Sequence, residues 1–209
     1  MRITGGQAAR RILKVPKGLG VRPTPDLVKQ AVFNSLGARV VGAHVLELFA
    51  GTGALSLECL SRGAASAICV EKSSKHAEVL RHNVLAAGLP PESLQLRTQD
   101  VFSALAQLAT SNSKFTLILA DPPYGEKNVN RRSTSFAQQL LDNPTLPGLL
   151  APDGLLVIGH SKRDTLEIPA AWRELKLLKH GDSLMRFLTV IQQDLNQAPL
   201  GAPSSRQLY

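Results

Sequence analysis

Val45-Leu46-Glu47-Leu48-Phe49-Ala50-Gly51-Thr52-Gly53-Ala54 is the stretch that decides the fold: a short apolar run meets two closely spaced glycines and then a segment with helical periodicity, 53–62. A strand that turns on glycine into a helix is the opening unit of a parallel α/β sheet, and ligands meet such sheets outside the carboxyl ends of the strands. Glycine in the turn allows close approach of the backbone. This is not a dinucleotide fingerprint, because Ser56 occupies the third glycine position, and no lysine follows to make a phosphate loop.

Outward from that turn, apolar strands at 45–50, 66–71, 94–99, 115–120 and 154–159 alternate with helices at 53–62, 73–87, 101–110 and 134–142. Ser73 is placed to cap a helix, and Gly63 and Gly88 to stop two others. Short apolar strands separated by helices imply a sheet covered on both faces, a doubly wound α/β fold. Upstream, Arg22-Pro23-Thr24-Pro25-Asp26 predicts another helix with Thr24 as N-cap and Pro25 at its first position, ended by Gly37. Downstream, 173–179 and 184–192 are β-like and joined by His180-Gly181-Asp182-Ser183, so an antiparallel pair is expected to close the sheet. The division is a basic N-terminal hairpin over 1–22, the main domain over 23–193, and a disordered tail over 194–209, where Asn, Gln, Pro, Ser and Gly dominate.

The chain of 209 residues is long enough for a full core, and its 44% hydrophobic content suits a water-soluble domain. No run reaches the roughly 18 apolar residues of a membrane span, and the first residues lack a signal-peptide segment, so the cytoplasm is the expected compartment. Cys59 and Cys69 fall on a helix and a strand and are expected as buried thiols, and the five histidines show no ligand spacing, so no metal is expected. The net charge of +8 makes a polyanion a natural partner. Arg2, Arg10, Arg11, Lys14, Lys17 and Arg22 concentrate it in the first 22 residues, which hold no acid. Such a segment is either a solvated tail or a grip on phosphates, and its interspersed Ile3, Ile12, Leu13 and Val15 favour a hairpin over a tail.

Acidic residues recur at the strand ends: Glu47, Glu71, Asp100 and Asp121. Glu71, about 20 residues after the glycines, is placed either to accept two ribose hydroxyls or to cap a helix. Asp100, followed by Val101 and Phe102, is placed either to bond an adenine amine or to act as an ordinary N-cap. Four in succession suit a ligand with a ribose, an adenine, an ammonium group and a positive sulfonium, which is S-adenosylmethionine, and would repel a pyrophosphate. The fourth opens Asp121-Pro122-Pro123-Tyr124 after the apolar run 115–120. Two prolines fix two φ angles and remove two donors, which leaves carbonyl acceptors beside a carboxylate and an aromatic face. That set suits methylation of an exocyclic amine.

The chain resembles the bacterial 16S ribosomal RNA guanine-N2 methyltransferases of the RsmD type. The resemblance rests on Met1-Arg2-Ile3 with Gly5-Gly6 and Arg11, on Val21-Arg22-Pro23-Thr24 and Phe33-Asn34, and on the 48–54 turn. It continues through Ser61-Arg62-Gly63-Ala64, Val70-Glu71-Lys72, Asp121-Pro122-Pro123-Tyr124-Gly125, His160-Ser161 and Gly181-Asp182. It implies a class I S-adenosylmethionine-dependent methyltransferase fold, Rossmann-like, with seven strands and the last antiparallel. Its expected cofactor contacts are Glu47, Phe49, Ala50, Gly51, Thr52, Gly53, Ala54, Glu71, Lys72, Asp100, Val101 and Asp121. Asp121, Pro122, Pro123 and Tyr124 are the expected catalytic set. Arg10, Arg11, Lys14, Lys17, Arg22, Lys162 and Arg186 are the expected contacts to RNA, as 16S rRNA or the assembling 30S subunit, and a monomer is expected. Ala9-Arg10-Arg11 departs from the Arg-Gly-Arg triplet usual in the family, and Glu47 replaces the commoner Asp. The readings in competition are an adenine-N6 methyltransferase of DNA or RNA, which usually needs a separate target-recognition domain, a glutamine-N5 protein methyltransferase, and a non-catalytic RNA-binding ribosome-assembly factor.

Overall fold

Near-continuous apolar runs in the strands require cover on both faces of the sheet. The computed structural model, which describes residues 1–16, 24–125, 127–128 and 131–191, shows that cover. Strands β1 (His44–Leu48), β2 (Ser66–Glu71), β3 (Leu94–Thr98), β4 (Phe115–Ala120), β5 (Leu150–Ser161), β6 (Trp172–His180) and β7 (Ser183–Val190) form one sheet in the order β3-β2-β1-β4-β5-β7-β6. The first five are parallel, and β7 runs antiparallel between β5 and β6. This is the class I methyltransferase arrangement that the resemblance implies. Strand order reverses between β1 and β4, and the carboxyl ends of these two strands carry the glycine turn and the Asp-Pro-Pro-Tyr loop.

Successive residues of each strand serve opposite cores. Val45, Leu117, Leu119 and Val157 pack with helices α1 (Asp26–Leu36), α2 (Ala54–Ser61) and α3 (Ser74–Ala87). Leu46, Ile118, Ala120 and Ile158 pack on the other side with α4 (Val101–Thr110), α5 (Phe136–Asp142) and the single turn α6 (Leu146–Leu149). Cys59 and Cys69 are buried free thiols, as expected. No described helix is long and apolar enough to cross a membrane.

Three expectations need correction. Pro25, not Thr24, is the N-cap of α1, with φ −56° and ψ 147° and no side-chain cap bond, because the Thr24 hydroxyl is turned to a partner on the far side of the turn. Strand β5 begins at Leu150 rather than 154, and a register shift between Phe115 and Leu117 absorbs the extra residues. α6 was not expected, since one turn is too short to show a period. Ser73 and Gly88 do cap α3, and Gly37 ends α1.

The N-terminal segment folds back on itself through an antiparallel bridge between Arg2 and Ile12, and Ile3 and Leu13 join the core. Its docking explains two distant motifs at once. Gly6, at φ 77°, lies so close to the end of α2 that a Cβ there would fall 1.8 Å from the Ser61 carbonyl oxygen. The Ser61 hydroxyl donates to the Gly5 carbonyl at 2.6 Å and accepts from the Ala8 amide at 2.9 Å. Fully buried Glu58 accepts from the Thr4 amide at 2.7 Å and from Arg62 Nε at 2.8 Å, and fully buried Lys29 bonds the Arg2 carbonyl and pairs with Asp26 at 3.2 Å. Removing one member would leave a buried charge unpaired, which typically costs about 3–5 kcal/mol.

Candidate active site

Residue Phe49, directly after β1, takes a left-handed φ of 57°, a conformation that costs a non-glycine residue energy and is commonly kept at functional turns. Gly53 follows at φ 77°, where a Cβ would come 2.8 Å from Leu80 of α3, so glycine lets the turn sit down on that helix. The turn is tied from below as well. Buried Asn83 donates to the Thr52 carbonyl at 3.0 Å and bonds both backbone groups of Lys14, at 2.8 and 3.1 Å, which joins the glycine turn to the N-terminal segment.

Beside this turn opens a cavity of about 790 Å³, within the range usual for small-molecule sites. Of the expected cofactor contacts, Phe49, Gly51, Glu71, Lys72, Asp100, Val101 and Asp121 line it. Glu71 Oε2 accepts from the Gly51 amide and Oε1 from the Ser73 amide, each at 2.7 Å, with His76 Nδ1 at 3.4 Å. Asp100 is the N-cap of α4, accepting from the Phe102 amide at 3.0 Å, and its other oxygen meets Lys72 at 3.4 Å. Both carboxylates thus make the capping-type bonds that the sequence left open while also facing the cavity. Phe136 of α5 packs on Phe49 with ring centroids 5.3 Å apart and completes an aromatic wall.

Ala50, Thr52, Gly53, Ala54 and Glu47 do not line the cavity. For the acid the reason is the pleat. Glu47 lies inside β1 on the same face as Val45, beneath α2, where its carboxyl accepts from the Ser56 amide at 2.9 Å and the Leu55 amide at 3.3 Å. Burial pushes its pKa up to about 7.

At the end of β4, all four residues of Asp121–Tyr124 line the cavity. Asp121 Oδ2 accepts from the Thr24 hydroxyl at 2.5 Å, and Oδ1 is buried with no hydrogen-bond partner among the described residues. Burial raises the carboxyl above its ordinary range, and the Thr24 hydroxyl, then Tyr124, draw it partly back. The Tyr124 hydroxyl donates to Ser183 Oγ at 2.9 Å, across the turn between β6 and β7.

Family membership follows from the length of chain that fits one model. The family described as Conserved hypothetical protein 95, the RsmD family, matches residues 1–189. The ribosomal RNA small subunit methyltransferase D of Escherichia coli strain K12 is 34% identical over 177 residues, 82% of this chain and 81% of that protein. The chain belongs to the RsmD family. Among solved structures, a hypothetical protein of Thermus thermophilus superposes with a TM-score of 0.74 at 28% identity, covering 91% of this chain and 99% of that one. An Escherichia coli structure assigned as the methyltransferase yhhF superposes with a TM-score of 0.73 at 30% identity, covering 92% and 99%.

In this RsmD-family protein the expected RNA contacts divide. Arg10, Arg11 and Lys14 are exposed, whereas Lys17 and Arg22 lie outside the described residues. Lys162 pairs with Asp182 at 2.9 Å, and Arg186 bonds Glu174 and, at 3.0 Å, His160 Nε2. Burial and the Arg186 guanidinium hold the buried His160 imidazole below its ordinary pKa, so Nε2 is an acceptor for that arginine. Arg186 is therefore a strut between strands.

Sequence reasoning missed Thr24, Gly159 and Ser183 as partners of the acceptor loop. Gly159 had a signal: a lone glycine in a strand marks a close approach. A Cβ there would stand 2.3 Å from Asp121 Oδ1. Thr24 and Ser183 had none, since each was accounted for locally, one as a cap and the other as part of a hairpin turn.

Proposed function

We propose that the protein transfers a methyl group from S-adenosylmethionine to the exocyclic N2 amine of a guanine in small-subunit ribosomal RNA, free or in the assembling particle. The observation that carries this reading is the buried Asp121 carboxylate, with one oxygen held by Thr24 and the other without a donor among the described residues, in the lining of the same cavity as Glu71 and Asp100. The donor set fits the cofactor. Three carboxylates line the cavity, and Lys72, a cation on its rim, is already paired with Asp100. That favours a ligand with positive charge and hydroxyl groups over a phosphate. Glu71 spends one lone pair of each oxygen on a backbone amide and keeps others for ribose hydroxyls. S-adenosylmethionine supplies an electrophilic methyl group there.

The chain's own residues then act on the amine. The N2 lone pair of guanine is delocalised into the ring and becomes more available when an acceptor holds an amine proton. The Asp121 carboxylate is that acceptor, and it must be ionised. Tyr124 offers the stacking face, and Thr24 holds Oδ2 so that the carboxylate cannot turn away from the base. When the amine is methylated it must shed one proton, and Asp121 is the base beside it. Rate enhancement of this kind comes mainly from positioning and from electrostatics set before the reaction. A target in a duplex must be flipped out, which costs a few kcal/mol, so a guanine in a loop is favoured.

The test is transfer of labelled methyl to undermethylated small subunits, free 16S rRNA and DNA in parallel, with nucleosides identified. Label in N2-methylguanosine is the expected result. Label in N6-methyladenosine would move the target to adenine, and no transfer to any nucleic acid would reject the enzymatic reading.

A further inference from the structure

We infer that Phe136 is a further cofactor-binding residue, the ring on which the adenine of S-adenosylmethionine stacks; this rests on that compound as the ligand of the acidic cavity. Among the described residues, Tyr124 and Phe136 are the two exposed large apolar side chains that line this cavity, 37% and 41% exposed. An aromatic face left in water gains from cover by another flat ring. Methyl transfer to a base brings two such rings together, the adenine of the cofactor and the target base itself. Tyr124 follows directly on Asp121, Pro122 and Pro123, which puts its face with the target amine. Phe136 keeps other company: its ring centroid is 5.3 Å from that of Phe49 and 6.4 Å from that of Phe102.

Those two neighbours mark the adenosyl end of the cavity. Phe102 gives its amide to Asp100, and Phe49 opens the turn whose Gly51 amide is held by Glu71. An adenine whose amine meets Asp100 therefore brings its ring to this aromatic wall. Phe49 and Phe102 are partly buried and pack against the core that α4 and α5 cover, so Phe136 is the member of the wall with a face to spare. Its position is fixed before any ligand binds. Ser135 caps α5 by accepting from the Gln138 amide at 3.2 Å, and the Gln138 side chain exchanges two bonds with the Glu167 backbone, at 3.0 and 2.8 Å. Ala137, Leu140 and Leu141 anchor the same helix in the core. A ring held this way loses little freedom when it is covered, so most of the stacking energy goes into affinity.

The experiment uses S-adenosylhomocysteine, which keeps the adenosyl group and does not turn over, with the full-length protein. Calorimetry should show Phe136→Ala binding it roughly 5- to 100-fold more weakly than the wild type, the scale on which a base loses affinity when its stacking ring is cut to alanine. Phe136→Tyr, which keeps the ring, should bind within about twofold of the wild type. A second variant reads the contact itself. The chain has one tryptophan, Trp172, buried in the core and outside the cavity lining. Phe136→Trp therefore adds a separate emitter, and its fluorescence should be quenched on saturation with S-adenosylhomocysteine. Wild-type affinity in Phe136→Ala overturns the inference, and so does emission from Phe136→Trp that ignores S-adenosylhomocysteine. Emission that responds to undermethylated 16S rRNA alone also overturns it, and gives the ring to the target base. If the wild type binds no S-adenosylhomocysteine, the cofactor reading fails and the stacking role with it.

Discussion

The two sides of the acidic cavity treat their carboxylates differently. On the side of β2 and β3, Glu71 and Asp100 each accept from backbone amides and have a charged or ionisable side chain alongside. On the side of β4, Asp121 has the Thr24 hydroxyl on one oxygen and a buried second oxygen without a donor among the described residues. Backbone amides fix a carboxylate in place, which suits a residue that holds a ligand. A buried acceptor lacking a partner typically costs about 1–3 kcal/mol, and an arriving N–H donor removes that cost. One side has backbone donors on its carboxylates, and the other keeps a buried acceptor that none of the described residues fills.

The strongest way to break this comparison is Asp121→Ala. Turnover should fall roughly 100- to 1000-fold, the scale seen when a charge-stabilising group is lost from an active site. Cofactor affinity, measured by calorimetry, should move much less. Near-normal single-turnover rates would remove Asp121 from the chemistry.

Glu47 sharpens the comparison as a third kind of carboxylate, buried beneath α2 and outside the lining of the cavity. Its pKa rises from 4.5 to about 7 on folding, so the folded protein holds a proton that the unfolded chain releases. The resulting stability is fully present below pH 4.5 and is lost as pH rises through 7. The difference in unfolding free energy between wild type and Glu47→Gln should therefore drift by about 3 kcal/mol at most across that window, at the expense of the wild type. Denaturant titrations at several pH values measure it, and a pH-independent difference would mean that Glu47 is ionised throughout.

Glu71→Ala should weaken S-adenosylmethionine binding by roughly 2–3 kcal/mol, through loss of charge-assisted bonds. Unchanged affinity in a folded variant would reduce Glu71 to a support for Gly51 and Ser73.

Thr24→Val removes the hydroxyl that draws the Asp121 pKa down. Since Asp121 must be ionised, activity is lost as pH falls through its pKa, and this acidic limb should move to higher pH in the variant. Rate profiles against pH decide it, and an unmoved limb would limit Thr24 to the turn before α1.

The N-terminal cations should bear on RNA binding alone. Arg10→Ala/Arg11→Ala/Lys14→Ala should flatten the salt dependence of RNA affinity by about 2 and leave cofactor binding unchanged. An unchanged slope would make the segment a solvated surface.

Much of the architecture is written locally. Period-two and period-3.6 patterns depend on near neighbours in sequence, which is why the five parallel strands and the helices between them appear within a few residues of their expected places. The positions of the Asp-Pro-Pro-Tyr loop and the glycine turn at strand ends were legible for the same reason: each is a continuous stretch that follows an apolar run in one window. Glu47 is the instructive case. Its residue type matched the other strand-end acids, but it lies within the ladder rather than at the strand's last residue or beyond, so the pleat turns it under α2.

What no window shows is which distant groups meet. Thr24 reaches Asp121 across 97 positions of sequence, Ser183 reaches Tyr124 across 59, and the Gly5 carbonyl reaches Ser61 across 56. Arg186 looks like any other cation until its strand position sets it against Glu174 and His160. Local pattern determines the elements because their hydrogen bonds and apolar faces are satisfied by near neighbours. The partners of a polar side chain, and with them its charge state and its task, are decided only when packing brings the elements together.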